Sequence, residues 1–350
     1  MATDNLSAVL YGINDLRLEQ APLPGEPGPN EVILESHTVG ICGSDIHFLT
    51  EGRIGPFVLK DPIILGHESA ATVVKVGPGV NNFKPGDRVA VEPQIPCRVC
   101  DPCKYGRYNM CPDTKFFATP PYNGSLTRYY AHAADFCFKL PDHVSYEEAA
   151  LMEPLAVAIQ ASRRADIKIG DSVLIVGAGP IGMASVLVAK AFGASKVLVT
   201  DINARRVEDA QKLGAEFSYV LPSGADAEES ANKINELMGG APDVTLECTG
   251  AGPAVSLAIY AAKMGGVVCL VGMGSVPATV PLTYAITKEL TLQTSLRYAN
   301  CYPLALSLIA DGKVDPKPMI THRFPLEKAL DAFECVKRGD GVKVMIKCKE

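Results

Sequence analysis

The sequence predicts an α/β protein in two parts, and three observations carry that reading. A stretch rich in short β-type runs comes first, an alternating β/α stretch follows, and a short tail ends the chain. Within the second stretch, a continuous apolar strand runs straight into a glycine-rich turn and a helical segment, the pattern of a βαβ unit in a parallel sheet. At 350 residues the chain has room for two domains of about 150 residues each.

The elements follow in order. From Ser7 to about Lys139, runs such as Glu31–Glu35, Ala71–Val76 and Arg88–Val91 alternate with turn signals such as Pro85-Gly86-Asp87. The texture changes at Tyr146. Glu147 to Arg164 is rich in alanine and reads as helix, which Pro154 is expected to interrupt or restart. Ser172–Val176 is an apolar strand, and Gly177-Ala-Gly179-Pro-Ile-Gly182 turns into a helix that runs to about Phe192. Lys196–Thr200 is the next strand and ends at Asp201. Alternation continues to about Thr294. From Tyr302 the tail carries helix-like segments and a last strand, Val342–Lys347, which is expected to return to the first part.

Composition excludes several classes of partner. Lys and Arg number 33 against 39 Asp and Glu, a formal net charge of −6. Such a chain is a poor binder of polyanions, so nucleic acid and anionic membrane are excluded as partners. Two stretches lack charge, Ser172–Ala189 and Met264–Thr287. A spanning helix needs about 20 mostly apolar residues. Gly177, Gly179, Pro180 and Gly182 break the first stretch, and Gly265, Gly266, Gly272, Gly274 and Pro281 break the second. Met1–Asn5 shows no basic region leading into an apolar one. A soluble, cytoplasmic protein is expected.

The eleven cysteines are an odd number, which argues against a disulfide framework. Four of them, Cys97, Cys100, Cys103 and Cys111, crowd into one polar loop. Four soft thiolates at that spacing suit tetrahedral Zn²⁺ with no open position, a structural site. Cys137, Cys248, Cys269, Cys301, Cys335 and Cys348 read as buried or incidental thiols.

The glycine triplet has a physical reading. Gly177 permits a tight turn, Gly179 lets the backbone approach a pyrophosphate, and Gly182 lets helix and strand pack closely. The helix N-terminus offers free amides to phosphate. Asp201 can hydrogen-bond a ribose diol and would repel a 2′-phosphate, which favours NAD, although Arg205 and Arg206 stand nearby. A second donor set is dispersed: Cys42, His67, Glu68 and Glu153. Each alone has an ordinary structural reading. Beside a nicotinamide site, mixed Cys, His and carboxylate donors suit a catalytic zinc that polarises an alcohol oxygen.

These residues give the chain a resemblance to the zinc-dependent medium-chain dehydrogenases, over nearly its whole length. The runs that carry it include Gly40–His47, Phe117–Pro121, Gly177–Gly182, Glu247–Gly250, Val271–Gly274, Leu296–Tyr298, Thr321–Glu327 and Val342–Lys347, the later ones being features of the polyol-oxidising branch. The resemblance implies a GroES-like β-rich catalytic domain from residues 1–155 and 295–350, and a Rossmann domain, with a doubly wound parallel sheet, over 156–294. It implies catalytic zinc on Cys42, His67 and Glu68, with Glu153 beside the metal where simpler alcohol dehydrogenases have cysteine. Ser44 and His47 match proton-relay positions, and Arg297 and Tyr298 match substrate-side residues. Ile181, Asp201, Arg206, Val271, Gly272, Met273, Ser295 and Arg297 match cofactor contacts. Phe48 stands where polyol enzymes often carry a substrate-contacting tyrosine. The implied activity is NAD-linked interconversion of a polyol and its ketose, in a homotetramer. Arabinitol- or threonine-type oxidation and NADP-linked ketose reduction are the alternatives.

Overall fold

The computed structural model describes residues 4–274 and 278–349. The chain divides into two compact units. One comprises Met1–Glu153, Tyr302–Gly312 and Pro316–Glu350, and the other Pro154–Cys301 and Lys313–Asp315.

The first unit is built on a seven-stranded sheet. Its path runs Cys137–Lys139, Arg88–Val91, Glu68–Val76, Glu31–Gly40, Lys343–Lys347 and Ile320–Pro325, with Tyr129–Ala133 also pairing to Glu31–Gly40. Every pair is antiparallel except the last on the path, Ile320–Pro325 with Lys343–Lys347. The tail strand thus lies inside the sheet, beside a strand from the start of the chain. Val344 and Ile346 from the tail pack in one cluster with Val39, Ile41, Ile63, Leu65 and Leu126. Burying each such side chain contributes roughly 1.5–3 kcal/mol. Phe48 belongs to the same cluster and is buried.

The expected break near Pro154 falls slightly earlier. Tyr146–Ala150 and Met152–Arg164 are separate helices, and Pro154 sits in the first turn of the second. Amides there have no intrahelical partner, so a missing N–H costs nothing. Ser145 caps the first helix, accepting from the Glu148 amide while Glu148 returns a bond to the Ser145 amide.

The second unit carries a six-stranded parallel sheet in the order Phe217–Val220, Lys196–Asp201, Ser172–Val176, Val244–Glu247, Val267–Leu270 and Thr291–Thr294. Numbered along the chain that is 3-2-1-4-5-6, a doubly wound order whose ligand crevice lies at the carboxyl ends of the first and fourth strands. Ser172–Val176 is buried on both faces, which is why it reads as a continuous apolar run. Among the described residues, the first uncharged stretch resolves into strand Ser172–Val176 and helix Pro180–Ala191, and the second holds strand Val267–Leu270 and helix Leu282–Thr287. Among the described residues, no helix is long and apolar enough to cross a membrane.

Candidate metal centres and dinucleotide turn

The dispersed donors converge. One ligand atom each from Cys42, His67 and Glu68 lies within 4.8 Å of the others. Cys42 is the N-cap of helix Gly43–Glu51, and its amide donates to Asp45 Oδ2 at 3.0 Å. Asp45 Oδ1 accepts from the Gly66 amide at 3.2 Å and faces His67 Nδ1 at 3.5 Å. One buried carboxylate therefore holds the cysteine, the turn before the histidine and the imidazole together. That leaves His67 Nε2 for a metal, the arrangement of a carboxylate behind a ligating histidine. Burial opposes a charged ring, but the charges of Asp45 and Cys42 outweigh it and hold His67 well above its ordinary range. A cation bound by the ring would answer the same negative charge.

Glu68 begins strand Glu68–Val76 and is buried. Both of its carboxylate oxygens accept from Lys343 Nζ at 2.6 Å, and Lys343 is itself buried on the tail strand. Burial lowers the lysine's affinity for its proton, yet Glu68 more than compensates and keeps it charged. Gly40, opposite Glu68 in the register, leaves the space this pair needs, since a Cβ there would lie 2.2 Å from Glu68 Oε2. Glu153 lies outside the three-donor cluster, buried in the first turn of helix Met152–Arg164, and its charge reaches Lys343. Ser44 Oγ is 3.5 Å from His67 Nε2. His47, on the same helix, is exposed and bonds Glu51 at 3.1 Å.

Cys97, Cys100, Cys103 and Cys111 also bring their sulfurs within 4.8 Å of one another. Backbone amides prepare them: the Cys97 amide donates to Cys111 Sγ and the Cys100 amide to Cys97 Sγ, both at 3.3 Å. The amides of Val99 and Cys100 draw the Cys97 thiol down to about 7. Four thiols held this closely by one loop fit a closed zinc site, whereas Cys42, His67 and Glu68 supply three donors and leave a fourth position open. Of the remaining cysteines, Cys248 is half-buried and the other five are buried.

In the second unit each fingerprint glycine has a distinct steric reason. Gly177 adopts φ +101°, a conformation other residues resist, and a Cβ there would meet Thr249 at 2.5 Å. A Cβ on Gly182 would lie 1.8 Å from the Gly177 carbonyl oxygen. A Cβ added at Gly179, the N-cap of helix Pro180–Ala191, would meet nothing within 4 Å among the described residues, so that face of the backbone is open to a ligand. Asp201 Oδ2 accepts from the Ala178 amide at 2.7 Å and Oδ1 from the Asn203 amide at 2.9 Å, which fixes the carboxylate at the strand end. Ile181 and Arg206 are half-buried, and Arg205 is exposed. Val271 and Gly272 are half-buried and Met273 is exposed, just beyond strand Val267–Leu270. The Ser295 amide donates to the Leu270 carbonyl at 3.0 Å. Arg297 takes φ +48° and Tyr298 is fully buried.

The architecture now has a counterpart among known proteins. Residues 28–142 match the alcohol dehydrogenase GroES-like domain, and residues 180–311 match the zinc-binding dehydrogenase domain. The chain belongs to the zinc-dependent medium-chain dehydrogenases. It is 53% identical to sorbitol dehydrogenase of Bos taurus over 99% of this chain and 96% of that protein. Against sorbitol dehydrogenase of Homo sapiens the figures are 52%, 99% and 96%. Among solved structures, 2R,3R-butanediol dehydrogenase from Bacillus subtilis is 31% identical, with a TM-score of 0.89 over 99% of this chain and 100% of that one. As a member of this family the protein is a zinc-binding oxidoreductase.

Three residues of these dehydrogenase sites escape a reading of motifs. Asp45 lies within the Gly40–His47 run but looks like an ordinary helix cap. Lys343 is 275 positions from the carboxylate it bonds. Glu247, buried at the end of Val244–Glu247, accepts from the amides of Thr249 at 2.7 Å and Gly250 at 3.0 Å and so holds the loop beside Gly177. Its signal was a carboxylate at a strand end before Thr-Gly.

Proposed function

We propose that this protein is a polyol dehydrogenase, oxidising a secondary alcohol such as C2 of sorbitol, or the equivalent carbon of xylitol, to the ketose with NAD. The observation that carries the reading is the convergence of Cys42, His67 and Glu68, backed by Asp45 and Lys343, in a chain about half identical to sorbitol dehydrogenases. Zinc held by the three donors supplies the Lewis acidity that makes an alcohol hydroxyl easier to deprotonate. Ser44, beside His67, takes the proton, and exposed His47 releases it to solvent. Glu153 holds the water that an alcohol displaces. Arg297 and Tyr298 keep the substrate-side role implied for them. The amides opening helix Pro180–Ala191 hold the cofactor phosphates, and Asp201 takes the ribose diol and discriminates against NADP.

We further propose a homotetramer. The sheet of the second unit ends at Thr291–Thr294, an edge strand with exposed Leu292, and exposed Leu282 and Ile286 stand on the preceding helix. An open, partly apolar edge invites pairing with a second copy. Eleven reduced thiols suit the cytoplasm.

The test is NADH formation over a panel of sorbitol, xylitol, arabinitol, butanediol and threonine, with and without a zinc chelator. Polyols should be preferred and the chelator should abolish activity. Threonine as the best substrate, or rates indifferent to the chelator, would overturn the reading.

A further inference from the structure

Glu92 is a wholly buried carboxyl that nothing above employs. It follows strand Arg88–Val91, whose antiparallel register pairs Val91 with Ser69. One step further along that register lies Glu68, so Glu92 ends its strand at the level of the three-donor centre. Two side chains donate to the same oxygen. Gln94 Nε2 and Tyr108 Oη each bond Glu92 Oε1 at 2.8 Å, while the buried Oε2 takes no hydrogen bond among the described residues.

The two donors lead in different directions. Gln94 pairs with Phe116, whose ring lies 5.7 Å from that of His67. Tyr108 belongs to the four-cysteine loop, three positions before Cys111, and its ring meets Phe136 edge-on at 5.5 Å. Another tie of the loop is peripheral: Arg98 pairs with Asp135 at 2.7 Å where both are exposed. His132 completes the surroundings, donating from Nε2 to the Glu92 carbonyl at 2.9 Å.

Among the described residues, no cation pairs with this carboxyl. Burial pushes Glu92 up to about 7, the bonds from Gln94 and Tyr108 oppose that rise, and the charges of Glu153 and Asp135 add to it. His132 is driven down to about 4 by burial and stays neutral. Glu92 therefore acts chiefly as a hydrogen-bonding hub, and glutamine is its near-isosteric substitute.

We propose that Glu92 is a positioning residue that couples the four-cysteine loop to the Cys42–His67–Glu68 centre, with Tyr108 as the loop's hold on it. The loop then has a part in the reaction as well as in stability. The inference rests on the proposed dehydrogenase reading only for its kinetic arm.

The test uses the full-length zinc-loaded protein and the variants Tyr108→Phe, Glu92→Ala and Glu92→Gln. Zinc removal by a chromogenic chelator is followed first, with His67→Ala identifying which zinc belongs to the three-donor centre. Tyr108→Phe and Glu92→Ala should lose that zinc about 10-fold faster while retaining the four-cysteine zinc, and Glu92→Gln should stay within about 2-fold of the parent. Polyol oxidation should show kcat reduced about 10-fold in the first two, KM for NAD unchanged, and rescue in Glu92→Gln. Parent-like zinc release and kcat in Tyr108→Phe, which keeps the hub itself and carries the test if Glu92→Ala fails to fold, would overturn the proposal. So would loss of the four-cysteine zinc alone. A parent inactive on polyols would instead overturn the proposed function, and the chelator arm would still decide the coupling.

Discussion

The two donor clusters reach the same compactness by opposite routes. Cys97, Cys100, Cys103 and Cys111 come from one loop, and backbone amides of that loop aim their sulfurs. Cys42, His67 and Glu68 come from a helix cap, a turn and a strand, and their orientation depends on Asp45 and on Lys343 from the far end of the chain. A loop that carries its own donors fastens a local piece of chain. Donors supplied by separate elements exist as a site only once the sheet of the first unit is assembled, and they can leave a coordination position open because the fold holds them already.

The largest expected effect separates the two outright. His67→Ala should lower polyol turnover by at least about 1,000-fold and remove one of two zincs, with thermal stability nearly unchanged. Metal analysis and a melting curve on the same sample decide it; a fall in stability matching that of a cysteine variant would erase the distinction. Cys100→Ser should do the reverse. Zinc binding by such a loop is part of its folding energy, so the variant should lose the second zinc and melt several degrees lower. An unchanged melting temperature would mean that the four thiols hold no metal.

A third local feature extends the comparison. Asp201 sits 19 positions after Gly182, fixed by two backbone amides. Catalytic efficiency with NAD should exceed that with NADP by at least about 100-fold, or ~2.7 kcal/mol. Steady-state rates with both cofactors check this, and Asp201→Ala should narrow the ratio by weakening NAD. Asp45→Ala should cost about 10- to 100-fold in zinc affinity at the dispersed centre, measured by chelator competition.

These cases show what a linear reading could reach. The four-cysteine loop, the Gly177–Gly182 turn and Asp201 are legible because neighbours in sequence are neighbours in space. The strands Arg88–Val91 and Ser172–Val176 are legible because, after a half-buried polar first residue, burial on both faces leaves an unbroken apolar run. Lys343 was illegible for the opposite reason: a lysine in a tail strand looks like a solvated edge residue until the strand is found between two others. Glu92 was hidden likewise, since an acidic residue after a strand ordinarily marks its exposed end. Phe48, which stands where polyol enzymes often carry a substrate-contacting tyrosine, packs in one core cluster with Ile41 and Val344.

The smallest effect concerns the second unit. Asp243 accepts from the amide and hydroxyl of Ser172 and pairs with Lys263. Burial raises its affinity for a proton, but Lys263 and Ser172 outweigh that and hold it down to about 2. Because its folded value lies below the unfolded one, its contribution is present above about pH 4 and disappears as pH falls toward 2. Asp243→Asn should therefore cost less than about 1 kcal/mol at pH 7, given its partial exposure, and clearly less at pH 2, where the carboxylate is about half protonated. Urea titrations at the two pH values test it, and an equal cost at both would show that the charge is idle.

Interleaving the tail strand Lys343–Lys347 between strands from either end of the first unit sets a timetable for the growing polypeptide. At about 5–20 residues per second, roughly 14–55 s separate the emergence of Glu68 from that of Lys343. Through that interval the Thr38–Gly40 end of strand Glu31–Gly40 lacks its tail neighbour, and Glu68 lacks the ammonium of Lys343. The whole parallel sheet of the second unit is made in the meantime. A nascent chain stalled before residue 343 should therefore present a finished glycine-rich turn and an unfinished three-donor cluster, open to chaperones and to premature strand pairing at the same edge.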